Sequence, residues 1–476
     1  MKIYNTLSHS LEEFRPLEEG RVSMYNCGPT VWSAPHIGNF RSFIMADLLR
    51  RYFDTQGVEV TQVMNITDVG HLTEDDLADA QGEDKLERQA REQGLEPLQI
   101  ARHYEGIFFQ NLKALGLREA HQYPRATEHI PEMIEMIECL VSRGHAYALD
   151  GLGVYFRVPS FAGYGTLSGN TLEDLDAGAR IEVDSRKESP HDFALWKIDP
   201  KHLMQWDSPW GRGFPGWHIE CSAMSRKYLG DTFDIHTGGE DNIFPHHECE
   251  RAQSLCSTAG EFARYWVHAR HLLVDGTKMA KSAGNFFTIN DLLEKDFTGL
   301  EIRYSLMTSH YRQQANFTLD GLEASRKAVE RLRNFRQGME EVSESGASGP
   351  VRETVQAVVD ESRSSAEAAL SDDLNISGAL GTLFETVRTL NRETPRASEA
   401  IQVLAWMRAL DEVLGVIFPE QARPVDLAPE EKQWIAERER VRAAGDFTRA
   451  DQLRDQLLAR GIEVKDTPQG TEWKRR

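Results

Sequence analysis

The sequence predicts an α/β chain: a parallel sheet split by an insertion, then a run of helices, then a small α/β end. Three observations predict it. A strand-like run, a helical run and a second strand-like run follow one another between Val22 and Ile66, which is how a parallel sheet opens. The rhythm stops across an insertion at about 115–215 and resumes at Phe233-Asp234-Ile235-His236. Beyond residue 321, apolar residues recur at helical spacing.

Taken in order, Val22 to Cys27 reads as the first strand. Phe40, Phe43, Ile44, Leu48 and Tyr52 then mark one face of a helix ending near Gly57. Val58 to Ile66 reads as the second strand. Residues 70–115 are charged and are expected to be helical. Residues 145–215 hold most of the Gly, Pro and short β-like runs of the insertion, such as Gly153-Val154-Tyr155-Phe156. The α/β pattern continues past Leu272-Leu273-Val274. Leu322, Val329, Leu332, Phe335 and Met339 form a helical stripe, ended by Ser345-Gly346-Ala347-Ser348-Gly349-Pro350. Further helices run to about 417, and Pro419, Pro424 and Pro429 mark a linker. The end reads as a helix from Phe447 to Leu458 and a hairpin turning at Thr467-Pro468-Gln469-Gly470.

At 476 residues the chain is too long for one core. No apolar run approaches the ~20 residues of a membrane span, and the N-terminus lacks the apolar core of a signal peptide. Five cysteines spread over so long a chain suit a reducing cytoplasm better than a disulfide framework. The net charge of −21 argues against indiscriminate nucleic-acid binding but leaves room for a specific RNA. Residues 431–476 carry eleven Lys/Arg against nine Asp/Glu, a slightly basic tail on an acidic chain.

Two motifs point to a nucleotide. His36-Ile37-Gly38-Asn39 opens a helix, where free backbone N–H groups and the dipole suit phosphate, and Gly38 permits close approach. His36 could donate to a phosphoryl oxygen whose charge grows during reaction. Alone, this is an ordinary helix start with an incidental His. Lys278-Met279-Ala280-Lys281-Ser282, between Gly276 and Gly284, reads as a mobile basic loop whose lysines can neutralise a triphosphate. Alone, it is a solvated loop. The two in this order, separated by a long insertion, are much harder to obtain by chance.

A third set points to a metal. Cys27 ends the first strand, and Cys221 follows a Gly/Pro-led turn. His246 and Glu250, at i and i+4, share a helix face. Together they would make an S₂NO zinc site, although His247, Glu248 and above all Cys249 compete for ligand positions. A thiophilic ion would bind a substrate thiolate and hold a hydroxyl analogue poorly. That selection is one an apolar pocket cannot supply, and it makes a separate editing site unnecessary.

Over essentially its whole length the sequence resembles the cysteinyl-tRNA synthetases, which are class I enzymes. The resemblance is carried by Tyr25 to Val31, His36 to Asn39, Asn65 to Asp68, Pro215 to Met224, Phe233 to His236, Phe244 to Glu248, Lys278 to Ser282 and Asp466 to Trp473. It implies a Rossmann-type catalytic domain over 1–320, a helical bundle over 321–418 and a small anticodon-binding domain over 425–476. It implies one Zn²⁺ held by Cys27, Cys221, His246 and Glu250, and a cysteine pocket lined by Thr67, Trp217, His236 and Asp241. Without it, Trp217 reads as a core aromatic and His236 as a satisfied strand-end His. The phosphates of ATP, with Mg²⁺ expected, would meet His36, Gly38, Asn39, Lys278, Lys281 and Ser282. The implied partners are tRNA(Cys), ATP and L-cysteine, with no membrane, in a cytoplasmic monomer.

Three residues depart from the family pattern: Asn39 where His is usual, Ala280 where Ser is usual, and Cys249 where Asn is common. An Asn side chain still donates a hydrogen bond and both lysines remain, so ATP use is expected to survive. Two rival readings follow from the same motifs. A relative that joins cysteine to an amino-sugar would lack residues 420–476, and a non-catalytic zinc-containing RNA-binding paralogue would lose the lysines or His36.

Overall fold

The computed structural model describes residues 1–476 except 75–77, 80, 171–184, 259, 280–283, 394, 419–428, 444–445, 460–461, 468–469 and 476. It divides into a unit of residues 1–418 and a unit of residues 419–476.

The first unit is organised around a four-stranded parallel sheet. Its spatial order is Phe262–Ala269, Thr232–Gly239, Arg21–Asn26, Glu59–Met64. The chain therefore leaves Arg21–Asn26 toward one edge and returns at Thr232–Gly239 to build the other. The junction of these two central strands is the switch point of the sheet, where their carboxyl ends diverge and leave a crevice. Cys27 and Gly239 stand at that junction. The helix Ile37–Thr55 crosses between Arg21–Asn26 and Glu59–Met64, and buries Phe40, Phe43, Ile44, Leu48 and Leu49. Each such side chain removed from water contributes ~1.5–3 kcal/mol, so this helix is held mainly by its packed face.

The expected helix over 70–115 is only partly present. Leu72–Glu74 pairs antiparallel with Gln81–Asp84, and helix begins at Lys85. The Asp84 carboxylate fixes that start by accepting the Leu86 and Glu87 N–H groups. Charge gave no sign of this hairpin, because charged residues suit a short solvated hairpin as well as a helix. The insertion carries its own antiparallel sheet, ordered Phe214–Pro215, Phe193–Lys197, Gly153–Phe156, Ala146–Leu149. Its last strand runs directly into Gly216 and the helix Trp217–Leu229.

Helices Leu319–Ser345, Glu353–Ser371, Ile376–Leu390 and Ala397–Leu414 follow. One buried ion cluster ties them to the sheet unit. Asp47, on the helix that follows the first central strand, takes Arg51 Nε at 2.8 Å and Arg303 Nη2 at 2.6 Å. Arg303 Nε in turn donates to the Leu414 carbonyl. At the far end of the bundle Glu399, wholly buried, receives Arg352 through both carboxylate oxygens and the N–H groups of Arg352 and Arg396. The Arg352 guanidinium, helped by those N–H groups and opposed by burial, holds the Glu399 carboxyl down at about 2. Stability from this group is therefore complete above the usual carboxyl range and is lost as pH falls through 4.5 toward 2. Thermal unfolding should find Glu399→Gln clearly less stable than the parent near neutrality, with the gap narrowing across that acid window.

In the second unit the helices Pro429–Ala443 and Phe447–Ala459 pack beside a hairpin of Ile462–Thr467 and Gly470–Arg475. Pro429, expected in the linker, is instead the first residue of a helix, where its missing N–H costs nothing. The rest of the linker and the turn residues Pro468 and Gln469 lie outside the described residues. Among the described residues, no helix is long and apolar enough to cross a membrane.

Candidate active site

The crevice at the switch point opens into a cavity of about 530 Å³. Its walls include Cys27, His36, Gly38, Asn39, Thr67, Trp217, Asp241, His246 and Lys278. Residues more than 200 positions apart in sequence thus meet in one space.

At one end the helix Ile37–Thr55 begins. His36 is its cap, with extended backbone (φ −88°, ψ 167°). Its Nδ1 accepts the Asn39 N–H at 3.2 Å, while the His36 N–H donates to Asn39 Oδ1 at 3.0 Å. This reciprocal cap gives both residues a structural task that sequence reading did not assign. It also fixes chemistry: with Nδ1 an acceptor, the neutral ring carries its proton on Nε2. Gly38 packs closely against the other motif: a Cβ there would lie 2.7 Å from Met279 Cε and displace that side chain. The two nucleotide motifs therefore touch. Lys278 closes the short strand Thr277–Lys278, paired with Leu272–Val274, and is exposed. Lys281 and Ser282 fall outside the described residues.

At the other end Cys27 follows the strand Arg21–Asn26, pinned by its N–H to the Thr237 carbonyl. Cys27 Sγ lies 3.9 Å from Cys221 Sγ and 3.6 Å from Glu250 Oε1. Cys221 Sγ is 3.6 Å from His246 Nε2, which is 3.0 Å from Glu250 Oε1. Ligands of a tetrahedral zinc stand about 3.3–3.8 Å apart, given bonds near 2.0–2.3 Å. The separations of 3.0–3.9 Å bracket that spacing. A second group, Cys27, His236, His247 and Glu250, is also compact and shares two members with the first. In it Cys27 Sγ is 3.1 Å from His247 Nε2, and His236 Nε2 is 2.8 Å from Glu250 Oε2.

The electrostatics favour a cation. Burial opposes charge on Glu250, but the His236 and His246 imidazoles beside it hold its carboxyl down at about 2. His246 is driven up to about 10 against its own burial, chiefly by Glu250 and Cys221. Cys221 is shifted down despite burial, by its bond to Cys27 and by His246, whereas burial and the neighbouring Cys221 push Cys27 up. A metal ion bound here would take the place of these shared protons.

The remaining expected residues fall as follows. Trp217 stacks on His246 with ring centroids 4.3 Å apart, and both rings line the cavity. Thr67 lines it too, and its hydroxyl donates to Glu220. Asp241 lies in the 3₁₀ turn Glu240–Asn242 after the strand Thr232–Gly239. His236 is wholly buried and stands behind Glu250 rather than on the cavity wall. Of the competing ligands, His247 belongs to the second group, while Cys249 and Glu248 belong to neither. The Cys249 thiol faces the Tyr164 hydroxyl at 3.4 Å, and Glu248 accepts the Ser168 N–H.

Sequence reasoning missed several cavity residues. Trp32, His71 and Lys85 form one wall: Lys85 Nζ sits 3.0 Å from His71 Nε2 and 5.5 Å over the Trp32 ring. Gln314, just before the strand Ala315–Phe317, also lines the cavity. Nothing local distinguishes these residues. His218, whose Nδ1 lies 2.9 Å from His246 Nδ1, carried a usable signal, because it sits between Trp217 and Cys221 in sequence.

Comparison with known proteins identifies the family. Residues 13–327 match the family model of the class I (C) tRNA synthetase catalytic domain, 366–418 the DALR domain, and 425–473 the cysteinyl-tRNA ligase anticodon binding domain. The cysteine–tRNA ligase of Symbiobacterium thermophilum is 45% identical, covering 100% of this chain and 99% of its own. That of Thermus thermophilus is 44% identical, covering 99% and 98%. The fold is also that of Mycobacterium tuberculosis methionyl-tRNA synthetase bound by methionyl-adenylate. That match has a TM-score of 0.62 at 15% identity and covers 86% of this chain and 95% of the other.

A parallel sheet whose switch-point cavity is lined by the helix start at His36–Asn39 and by Lys278, in a chain that the class I (C) catalytic-domain model matches over 13–327, is that of a class I aminoacyl-tRNA synthetase. Such an enzyme uses ATP, an amino acid and tRNA. The chain belongs to the cysteinyl-tRNA synthetase family, the cysteine–tRNA ligases. Its reaction joins L-cysteine to the 3′-terminal adenosine of tRNA(Cys) through cysteinyl-adenylate.

Proposed function

We propose that the cavity is where cysteine is activated, with one end for its thiol and the other for ATP. The carrying observation is that Cys27 and His246 share its walls with His36, Gly38, Asn39 and Lys278. The cysteine carboxylate attacks the α-phosphorus of ATP, the bond to the β-phosphate oxygen breaks, and pyrophosphate leaves. The helix start at His36–Asn39 faces the phosphates, with His36 Nε2–H as a donor to an oxygen whose charge grows. The Asn39 side-chain oxygen is occupied by the cap, so its NH₂ is the group available to phosphate. Lys278 and Lys281 neutralise the departing pyrophosphate, Gly38 and Ser282 admit it, and Mg²⁺ accompanies ATP.

Thr67, Trp217 and Asp241 surround the amino acid, and His236 holds Glu250 in place from behind. Cys27, Cys221, His246 and Glu250 would hold one Zn²⁺, in preference to the second group. That choice rests on two thiols rather than one, and on Cys27 and His246 both reaching the cavity wall, while His236 and His247 do not. Zinc in that position supplies a thiophilic contact that favours the substrate's thiolate over serine's hydroxyl.

In this reading residues 1–320 with the insertion at about 115–215 activate cysteine, 321–418 form the bundle, and 425–476 read the anticodon. The enzyme works as a cytoplasmic monomer. An anticodon-binding match over 425–473 speaks against an amino-sugar acceptor. The test is cysteine-dependent ATP–pyrophosphate exchange followed by charging of tRNA(Cys), with serine as competitor, before and after zinc removal. Exchange that needs cysteine and discriminates only when zinc is present is the expected result. Discrimination that survives zinc removal would refute the metal's role.

A further inference from the structure

Activation sets two anions against each other, because the cysteine carboxylate must approach an α-phosphoryl group that is already negative. A cation fixed beside the carboxylate lowers that repulsion. Among the described residues, the lysines and arginines on the cavity wall are Lys85, Arg270 and Lys278. Arg270 is more than half exposed and is paired with Glu240, Nε to Oε1 at 3.2 Å. Lys278 is exposed and belongs to the basic loop whose Met279 lies against Gly38 at the ATP end. Lys85 has no assigned task.

Lys85 stands on the amino-acid side of the cavity. Its neighbour His71 meets the edge of Trp217, with centroids 5.0 Å apart, and Trp217 stacks on His246 at 4.3 Å. From the donor cluster outward the wall therefore runs His246, Trp217, His71, Lys85. The ammonium is also held in place. Lys85 opens the helix Lys85–Gln93, which Asp84 caps, and its N–H donates to the His71 carbonyl at 2.9 Å. Its half-buried side chain sets Nζ 3.0 Å from His71 Nε2 and 5.5 Å over the Trp32 ring, which attracts a cation. The insertion braces this helix start: His202 Nε2 lies 3.4 Å from Asp84 Oδ2, and the Leu203 N–H donates to Glu87.

We propose that Lys85 holds the carboxylate of the bound cysteine, pairing with one oxygen so that the other is presented to the α-phosphorus. With its thiol at the donor cluster, the amino acid extends along this wall and brings its carboxylate to Nζ. The presented oxygen forms the bond to phosphorus as the bond to the β-phosphate oxygen breaks, and pyrophosphate leaves with that electron pair. The oxygen on Lys85 becomes the carbonyl oxygen of cysteinyl-adenylate. This rests on the reading of the cavity as the site of cysteine activation.

The test is Lys85→Met, which keeps an unbranched stem and removes the charge, read in cysteine-dependent pyrophosphate exchange. KM for cysteine is expected to rise about 10–100-fold, the loss of one charge-assisted hydrogen bond. KM for ATP, and inhibition by cysteamine, which is cysteine without its carboxylate, should change less than about twofold. Lys85→Arg keeps the charge and should recover most of the affinity. Should Lys85→Met fail to fold, Lys85→Gln takes its place, with a polar head but no charge. Cysteamine weakened as much as cysteine would mean that the whole wall is damaged, and would overturn the inference. A raised KM for ATP alone would move Lys85 to the phosphates, and normal exchange with slow charging of tRNA(Cys) would move it to the 3′ end of the tRNA; either result overturns it. A parent enzyme without cysteine-dependent exchange would instead remove the activation reading beneath it.

Discussion

Cys221→Ala is expected to purify with far less than one zinc per chain and to lose cysteine-dependent pyrophosphate exchange by about 100-fold or more. The reason is geometric. Cys221 Sγ stands 3.9 Å from Cys27 Sγ and 3.6 Å from His246 Nε2, and is one of only two thiols in the cluster. The fallback group of Cys27, His236, His247 and Glu250 offers one thiol instead of two, and neither of its imidazoles lines the cavity. Metal analysis beside the exchange assay reads both consequences. Cys249→Ala is the control: its thiol faces Tyr164, so zinc content and rate should stay at the parent level. A Cys221→Ala protein that kept its zinc and its preference over serine would show that the ion sits elsewhere.

His36→Ala is expected to lower kcat of adenylate formation by about 10²–10³-fold, the usual cost of losing one donor aimed at developing charge. KM for cysteine should hardly move, since the thiol end of the cavity is untouched. The variant also loses the acceptor of the Asn39 N–H, which costs about 1 kcal/mol of stability. His36→Asn separates the two tasks. Its side-chain oxygen can cap the helix but cannot place a donor where Nε2 stands, so thermal stability should recover while the rate does not. Recovery of both would mean that His36 serves the helix alone.

Particular residues show what was legible. Cys27, His36 and Gly38 stood out because a strand, a turn and a helix start follow one another locally, and local geometry is written in local sequence. The pairing of His246 with Glu250 was legible for the same reason, since helical spacing alone brings i and i+4 together. The hairpin at 72–84 was not, because its charged residues fit either structure and only the Asp84 cap decides where helix begins. That His246 and His247 fall in different donor groups was not legible. It depends on the wide turn Ile243–His247, in which Phe244 leaves helical geometry and resets where each ring points. The facing of Cys249 toward Tyr164, and of Glu220 toward Thr67, depends on segments 85 and 153 residues away. Only the order of the strands in the sheet brings such segments together.

Gly28 closes the matter from another direction. A Cβ at that position would lie 1.8 Å from the Asn65 carbonyl oxygen, a backbone atom with nowhere to go. Every glycine codon begins with the same two bases, and any change in either produces a residue that carries a Cβ or a stop. No missense mutation at this codon is mild. A saturation library selected for growth on this enzyme should return only synonymous third-base variants at position 28, one residue from the Cys27 thiol.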